Sequence, residues 1–412
     1  MKISTGRWVS GSDFFDRETE LRILGERVSD GNHILLTGQR RMGKTSVARE
    51  LGRRLEARNW VFFFIDIEDA ICEEDVIAEI AQVMRPIHSP KPPIHIRVGR
   101  FLQNSIEEIG VSSVKARIRA GITTGNWRRQ GQELLRICAA HERPVLLVID
   151  ELPIFLKRML GQEDGVQRVE KFLSWLRGAL QGVEGGSLGV IVSGSIGLQP
   201  LVRRLGISDR INYLHSFRVG PWDRATSVEC FNRLAESYQL EVEDGVATAV
   251  YEMLGLGIPH HVQSFFARLQ EHAMRGQARV TVKDVEHVYR NSLLGPQGQI
   301  DLDHYASRLK EGLGDDYGFA MEILAAASVQ NVFTPSSRQL LEQEYSALMD
   351  DAPGRIAEVL DILMHDGYLE EGPHGHRFLS HLLKDWWAAR FRDHYIPLEN
   401  RRPNSESTGR LQ

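Results

Sequence analysis

The run Gly38-Gln39-Arg40-Arg41-Met42-Gly43-Lys44-Thr45 constrains this chain more than any other feature, because it completes the pattern G-x-x-x-x-G-K-[ST]. The apolar triplet Ile34-Leu35-Leu36 leads into it as a strand, and residues 46–55 lead out at helical period. A strand, a glycine-rich turn and a helix in that order make a cradle for phosphate. Glycines let backbone N–H groups turn inward, and the helix N-terminus that opens near Ser46 adds positive potential. Lys44 is placed to reach β- and γ-phosphates, and the Thr45 hydroxyl to hold Mg²⁺. The expectation is a nucleoside triphosphate site, with ATP and Mg²⁺ as ligands.

A second segment supplies the acids such a site needs. Val145-Leu146-Leu147-Val148-Ile149 is an apolar strand that ends in Asp150-Glu151. Downstream of a phosphate loop, one carboxylate belongs in the Mg²⁺ shell and the next can polarise an attacking water. Asp150 is assigned to the metal and Glu151 to the water. Further apolar runs at residues 60–67, 189–193 and 213–219 read as strands, alternating with helical patterns at 17–29, 70–84, 128–141 and 166–180. Uniformly apolar strands between helices predict a parallel sheet covered on both faces.

The 412 residues suggest two or three domains. Residues 1–222 read as an α/β P-loop NTPase core, 223–298 as a helical lid, 299–396 as a winged helix and 397–412 as a polar tail. Residues 295–298, Gly-Pro-Gln-Gly, read as a linker. Within 299–396 the pattern gives helices at 317–329, 336–349 and 354–365, a hairpin pairing 368–370 with 377–379, and a last helix at 382–391. About residues 89–129 form an insertion rich in arginine (Arg97, Arg100, Arg117, Arg119, Arg128, Arg129), and alternation over 114–122 allows a hairpin.

The formal net charge of −5 advertises no global field for nucleic acid or membrane. Cys72, Cys138 and Cys230 are isolated, which fits a reducing cytoplasm. No apolar stretch follows Met1-Lys2-Ile3-Ser4, so no signal peptide is expected, and the apolar runs are too short to span a bilayer.

Taken with its neighbours, the phosphate loop resembles a known group. Gly38 to Ser46, with the double arginine inside the loop, is similar to the archaeal-type ATPases of the wider AAA+/STAND assemblage. Phe14-Phe15-Asp16-Arg17-Glu18-Thr19-Glu20-Leu21 looks like their Phe-x-Gly-Arg-Glu-x-Glu-Leu box, with Asp16 where Gly is usual. Asp150-Glu151-Leu152-Pro153, Ser193-Gly194-Ser195, and Arg377-Phe378 ahead of Leu382-Leu383-Lys384-Asp385-Trp386-Trp387 also fit. The resemblance spans most of residues 12–392. It implies a nucleotide contact from the Phe15 to Arg17 region, Arg17 included, and a γ-phosphate sensor at Ser193 or Ser195. It further implies a Gly257-Ile258-Pro259 turn that places Pro259 near the adenine, and an arginine finger presented to a neighbouring subunit from Arg203, Arg204 or Arg210, with Arg210 first.

Other residues draw plainer readings. His260-His261 lacks acidic or cysteine neighbours at ligand spacing and reads as surface or cap, as do His374 and His376 in the wing. Trp386-Trp387 reads as core packing. The third winged-helix helix carries Arg355, with Arg338 on the helix before it, against Glu342, Glu344, Asp350, Asp351, Glu358, Asp361 and Asp366. A helix that enters a groove beside phosphates should be basic, so this module suits a protein partner better than DNA. The primary reading is an ATPase, slow or switch-like, whose nucleotide state sets the posture of lid and winged helix, with a homo-oligomer among its expected partners. The alternative is a nucleotide-gated DNA-binding protein resembling initiator or transposition-regulator ATPases.

Overall fold

The computed structural model describes residues 1–84, 118–182, 188–194, 197–276 and 279–401. The chain divides into two compact units. One is Gly6–Gly220; the other joins Met1–Thr5 to Pro221–Gln412.

The first unit is built on a five-stranded sheet of β1 (His33–Thr37), β2 (Val61–Asp66), β3 (Val145–Asp150), β4 (Leu188–Ser193) and β5 (Leu214–Arg218). Their order is β2-β3-β4-β1-β5, and every pairing is parallel. Strands β3 and β4 are buried at all six positions, which is why their sequences are apolar without alternation. Helices α1 (Glu18–Ser29), α2 (Lys44–Glu56), α3 (Glu73–Val83), α4 (Trp127–Ala139), α5 (Leu152–Leu160), α6 (Gly165–Gln181) and α7 (Leu198–Arg204) accompany the sheet. Leu21, Leu24 and Val28 of α1 recur at helical spacing and are buried, as are Val76, Ile77, Ile80 and Ala81 of α3. Each large apolar side chain so buried contributes about 1.5–3 kcal/mol. Trp127, Phe155, Phe172 and Trp175 close one end of this core, with Trp127 and Trp175 in edge contact at 5.1 Å and Phe155 and Phe172 at 5.2 Å. Among the described residues no helix is long and apolar enough to cross a membrane.

Most of the arginine-rich segment, residues 85–117, lies outside the described residues. Where its end is described, the expected hairpin gives way to helix over residues 118–120. Ile118 and Ile122 are both buried, and a four-residue spacing sits on one face of a helix as well as of a strand, so the pattern alone does not separate the two.

The second unit begins with α8 (Arg224–Ser237), α9 (Val246–Leu254), α10 (Pro259–Met274), α11 (Val282–Val288) and α12 (Pro296–Leu313). Residues 295–298, read as a linker, instead start α12. Pro296 stands in its first turn, where a missing N–H costs nothing. There follow α13 (Tyr317–Val329), α14 (Pro335–Ser346), α15 (Ala352–His365), an antiparallel hairpin of β6 (Leu369–Gly372) and β7 (Gly375–Phe378), and α16 (His381–Phe391). Three helices, a hairpin and a closing helix are the element order of a winged helix. Phe333 adds a bridge to His376 on the hairpin. Trp386 and Trp387 are fully buried, and Trp387 meets Tyr368 edge-on at 5.9 Å. His261, expected at the surface, is also buried, because its face of α10 carries Val262 and Phe265 into the core. Its Nε2 lies 3.1 Å from the Tyr305 hydroxyl. His376 is half-buried and His374 exposed.

Candidate nucleotide site

Strand β1 leaves the sheet at Thr37, and the chain turns through Gly38 to Gly43 before α2 begins at Lys44. Two glycines are required by this turn. Gly38 has φ +142°, and a Cβ there would fall 2.4 Å from the Val219 carbonyl oxygen; Gly43 has φ +88°. Arg41, at φ 69°, takes a left-handed conformation that costs an ordinary residue about 1 kcal/mol. Gln39 and Met42 are buried in the turn. Among the described residues, Gln39 Nε2 and Arg41 Nε are buried donors with no hydrogen-bond partner. Lys44 is 7% exposed, and its Nζ donates to the carbonyls of Gly38 at 2.7 Å and Gln39 at 3.2 Å. Unfilled donors and a loop-facing ammonium at a helix N-terminus match an anionic ligand rich in acceptors.

The strand order brings the acids to this loop. Because β4 lies between β3 and β1, the tips of all three meet at the carboxyl edge of the sheet. Thr45 Oγ1 donates to Asp150 Oδ2 at 2.7 Å, and the Ser193 hydroxyl, fully buried, donates to Asp150 Oδ1. Asp150 is thus held on both oxygens by hydroxyls. The Glu151 N–H also donates to Asp150 Oδ1, at 3.1 Å. Glu151 itself is left-handed, at φ 60°, and caps α5. Its Oε2 stands 3.7 Å from where a Cβ on Gly194 would lie, so its carboxylate flanks the end of β4. Hydroxyl and carboxylate oxygens are the hard donors that Mg²⁺ prefers, so Thr45 and Asp150 fit that ion.

Two further charged residues reach this edge. Asp66 ends β2 and pairs in register with Asp150 on β3. Desolvation raises its pKa, and the charge of Asp150 adds to the rise. Arg49, one turn along α2 from Thr45, stacks over the Phe64 ring at 3.7 Å and the Trp8 ring at 4.2 Å. Burial lowers its pKa, while the carboxylates of Asp150 and Asp66 pull it back up. Sequence reading gave neither residue a role. The signal for Arg49 was its four-residue spacing from Thr45, which puts both on one helix face.

The remaining expected residues are placed as follows. Arg17 is buried; its guanidinium binds Glu20 at 2.8 Å and the Gly220 carbonyl at 2.6 Å, tying the segment before α1 to the end of the unit. Ser46 Oγ accepts the Val9 N–H at 3.1 Å. Arg40 follows Gln39 in the turn. Ser195 lies outside the described residues. Arg210 sits in a short 3₁₀ turn, ion-paired to Glu170 at 2.9 Å and Asp209 at 3.0 Å. Pro259, in the second unit, is buried in the first turn of α10.

Comparison with solved structures agrees with this fold. The chain is similar to the Walker-type ATPase paby2304 of Pyrococcus abyssi, with a TM-score of 0.60 and 19% identity over 93% of this chain and 99% of that one. The fold is an α/β P-loop NTPase core. It is also similar to the ORC2 protein of Aeropyrum pernix, solved as ADPNP–ADP complexes, with a TM-score of 0.54 and 13% identity over 93% of this chain and 98% of that one. No protein-family model matches the sequence, and no curated protein matches it.

Proposed function

We propose that this protein binds Mg-ATP at the loop from Gly38 to Ser46 and hydrolyses it to ADP and phosphate. The observation that carries the reading is the double hold on Asp150 by the hydroxyls of Thr45 and Ser193, at the mouth of the lysine loop. Lys44 exchanges its loop carbonyls for phosphate oxygens, which offer it charge as well as acceptors. The loop N–H groups line the phosphates. Thr45 and Asp150 would hold a Mg²⁺ ion, which would supply neutralisation of phosphate charge when bound. Glu151 accepts the proton of the attacking water as the water oxygen bonds the γ-phosphorus and the bond to the β–γ bridging oxygen breaks. Ser193 orients Asp150, a positioning role on the acid rather than a direct sensor of phosphate. Arg17 contributes by tying the segment before α1 to Gly220.

Nucleotide state would then set the posture of the helical segment 223–298 and the winged helix 299–396. Arg210 stays the first finger residue in a homo-oligomer, where it would give up Glu170 and Asp209. The likeness to ADPNP–ADP complexes supports the nucleotide reading through the fold alone. Of the arginine-rich segment on which DNA gating rested, Arg119, Arg128 and Arg129 are described: the Arg119 guanidinium binds Asp75 at 2.5 Å, and Arg128 and Arg129 are exposed on α4.

The acids give the test. Glu151→Gln should keep nucleotide affinity and lower turnover by roughly 10²–10⁴-fold, since an amide cannot take the proton. Asp150→Asn should weaken Mg²⁺ dependence and affinity together. An exchange of the two phenotypes, by calorimetry and phosphate release, would overturn the assignment.

A further inference from the structure

Arg49 is a cation with an unusual neighbourhood. Phe64 of β2 covers one region of its guanidinium and Trp8 another, at the ring-centre distances given above. Its Nε is buried without a hydrogen-bond partner, and among the described residues it bonds neither Asp66 nor Asp150. The charge is therefore held near the two acids by aromatic faces, without being consumed in an ion pair. The cage is fixed from both sides. Phe64 lies in the sheet, two residues before Asp66. Trp8 belongs to a segment strapped along α2, where the Val9 N–H donates to Ser46 and the Gly11 N–H to Glu50 at 2.9 Å.

Asp66, Asp150 and Thr45 at neighbouring element ends would, left alone, form a hard oxygen set able to draw a divalent cation from solution. A fixed positive charge beside them opposes this. We propose that Arg49 is a positioning residue that serves as internal counter-cation to the Asp66 and Asp150 pair, so that the bare protein takes a divalent ion poorly and loads it together with the nucleotide's phosphates. The inference deepens the Mg-nucleotide reading and rests on it. Phosphate oxygens bring the negative charge that tips the balance, which makes metal and nucleotide arrive cooperatively. Each then raises the affinity for the other by the same factor.

The test uses the full chain and Mn²⁺ alone as the probe, with free ion followed by electron paramagnetic resonance. Arg49→Met keeps the stem and drops the charge. It should tighten Mn²⁺ binding to nucleotide-free protein by about tenfold, the size expected for losing one screened charge at this range. Arg49→Lys should restore the weak wild-type value. ADP affinity in EDTA should not rise, because the metal term is absent and losing a positive charge can only weaken the hold on phosphate. Adding Asp150→Asn to Arg49→Met should erase the gain, which locates it at this site. Arg49→Gln repeats the measurement should Arg49→Met fail to fold. Unchanged or weaker Mn²⁺ binding in a folded charge-removed variant overturns the proposal. A wild-type protein that binds no nucleotide would instead sink the ATP reading, an outcome the Mn²⁺ series alone does not produce.

Discussion

Lys44 in the core unit and Arg355 in the C-terminal unit are both cations close to protein acceptors, and they are held in opposite ways. Lys44 donates to two neutral carbonyls of its own loop. Arg355 lies over Phe319 at 5.5 Å and binds Asp316, at 2.6 Å through Nε, an acid only 3% exposed. Carbonyls are exchanged cheaply for phosphate, because the anion returns more than they gave. A buried carboxylate is not, because it would lose the cation that balances its charge. The core keeps its cation exchangeable, whereas the C-terminal unit uses its cation as a rivet. An arginine already bound to a buried acid gains less from a new phosphate partner than a lysine held by carbonyls.

The comparison breaks most readily at the rivet. Arg355→Met should destabilise the C-terminal unit by about 3 kcal/mol, the cost of removing the guanidinium from a buried acid, with nucleotide affinity unchanged. Urea denaturation and a nucleotide titration measure the two separately. Full stability with lost DNA binding, by anisotropy at physiological salt, would reverse the roles assigned to Arg355.

A smaller effect sharpens the same contrast within the core. Glu50 of α2 is buried, which alone would raise its pKa. Hydrogen bonds from Arg53, the Gly11 N–H and Arg54 outweigh this and hold it at about 2. Because the folded pKa is depressed, the stabilisation is present above the ordinary value of 4.5 and is lost as pH falls toward about 2. Glu50→Gln should therefore cost about 2 kcal/mol at pH 7, with the gap to wild type closing over that window. A gap that stays constant from pH 7 to pH 3 in chemical denaturation would refute the linkage. Smaller still, Arg119→Met should cost about 1 kcal/mol, because its pair with Asp75 is half-exposed.

The sequence shows the phosphate loop and both acids plainly, since they are local patterns at strand ends. The parallel sheet was legible for the same reason, in runs such as Val145 to Ile149 that no half-exposed strand would carry. What was hidden depends on strand order and long-range packing. Nothing in the spacing of Ser193 says that β4 inserts between β1 and β3 and delivers its hydroxyl to Asp150. The Arg49 cage needs Trp8 from the N-terminal segment and Phe64 from β2, residues that only the fold brings together. His261 misled because polarity was read without the helix face it shares with Val262 and Phe265. Residues 295–298 misled because Gly-Pro marks a helix start as readily as a linker.

The central claim is that the lysine loop holds the phosphates of a nucleotide, and calorimetric titration of Mg-ATP into wild type and Lys44→Ala tests it most directly. The account predicts a loss of affinity on the order of 10²-fold in the variant, with its thermal melting curve unchanged. A folded Lys44→Ala protein that binds Mg-ATP as tightly as wild type would contradict it.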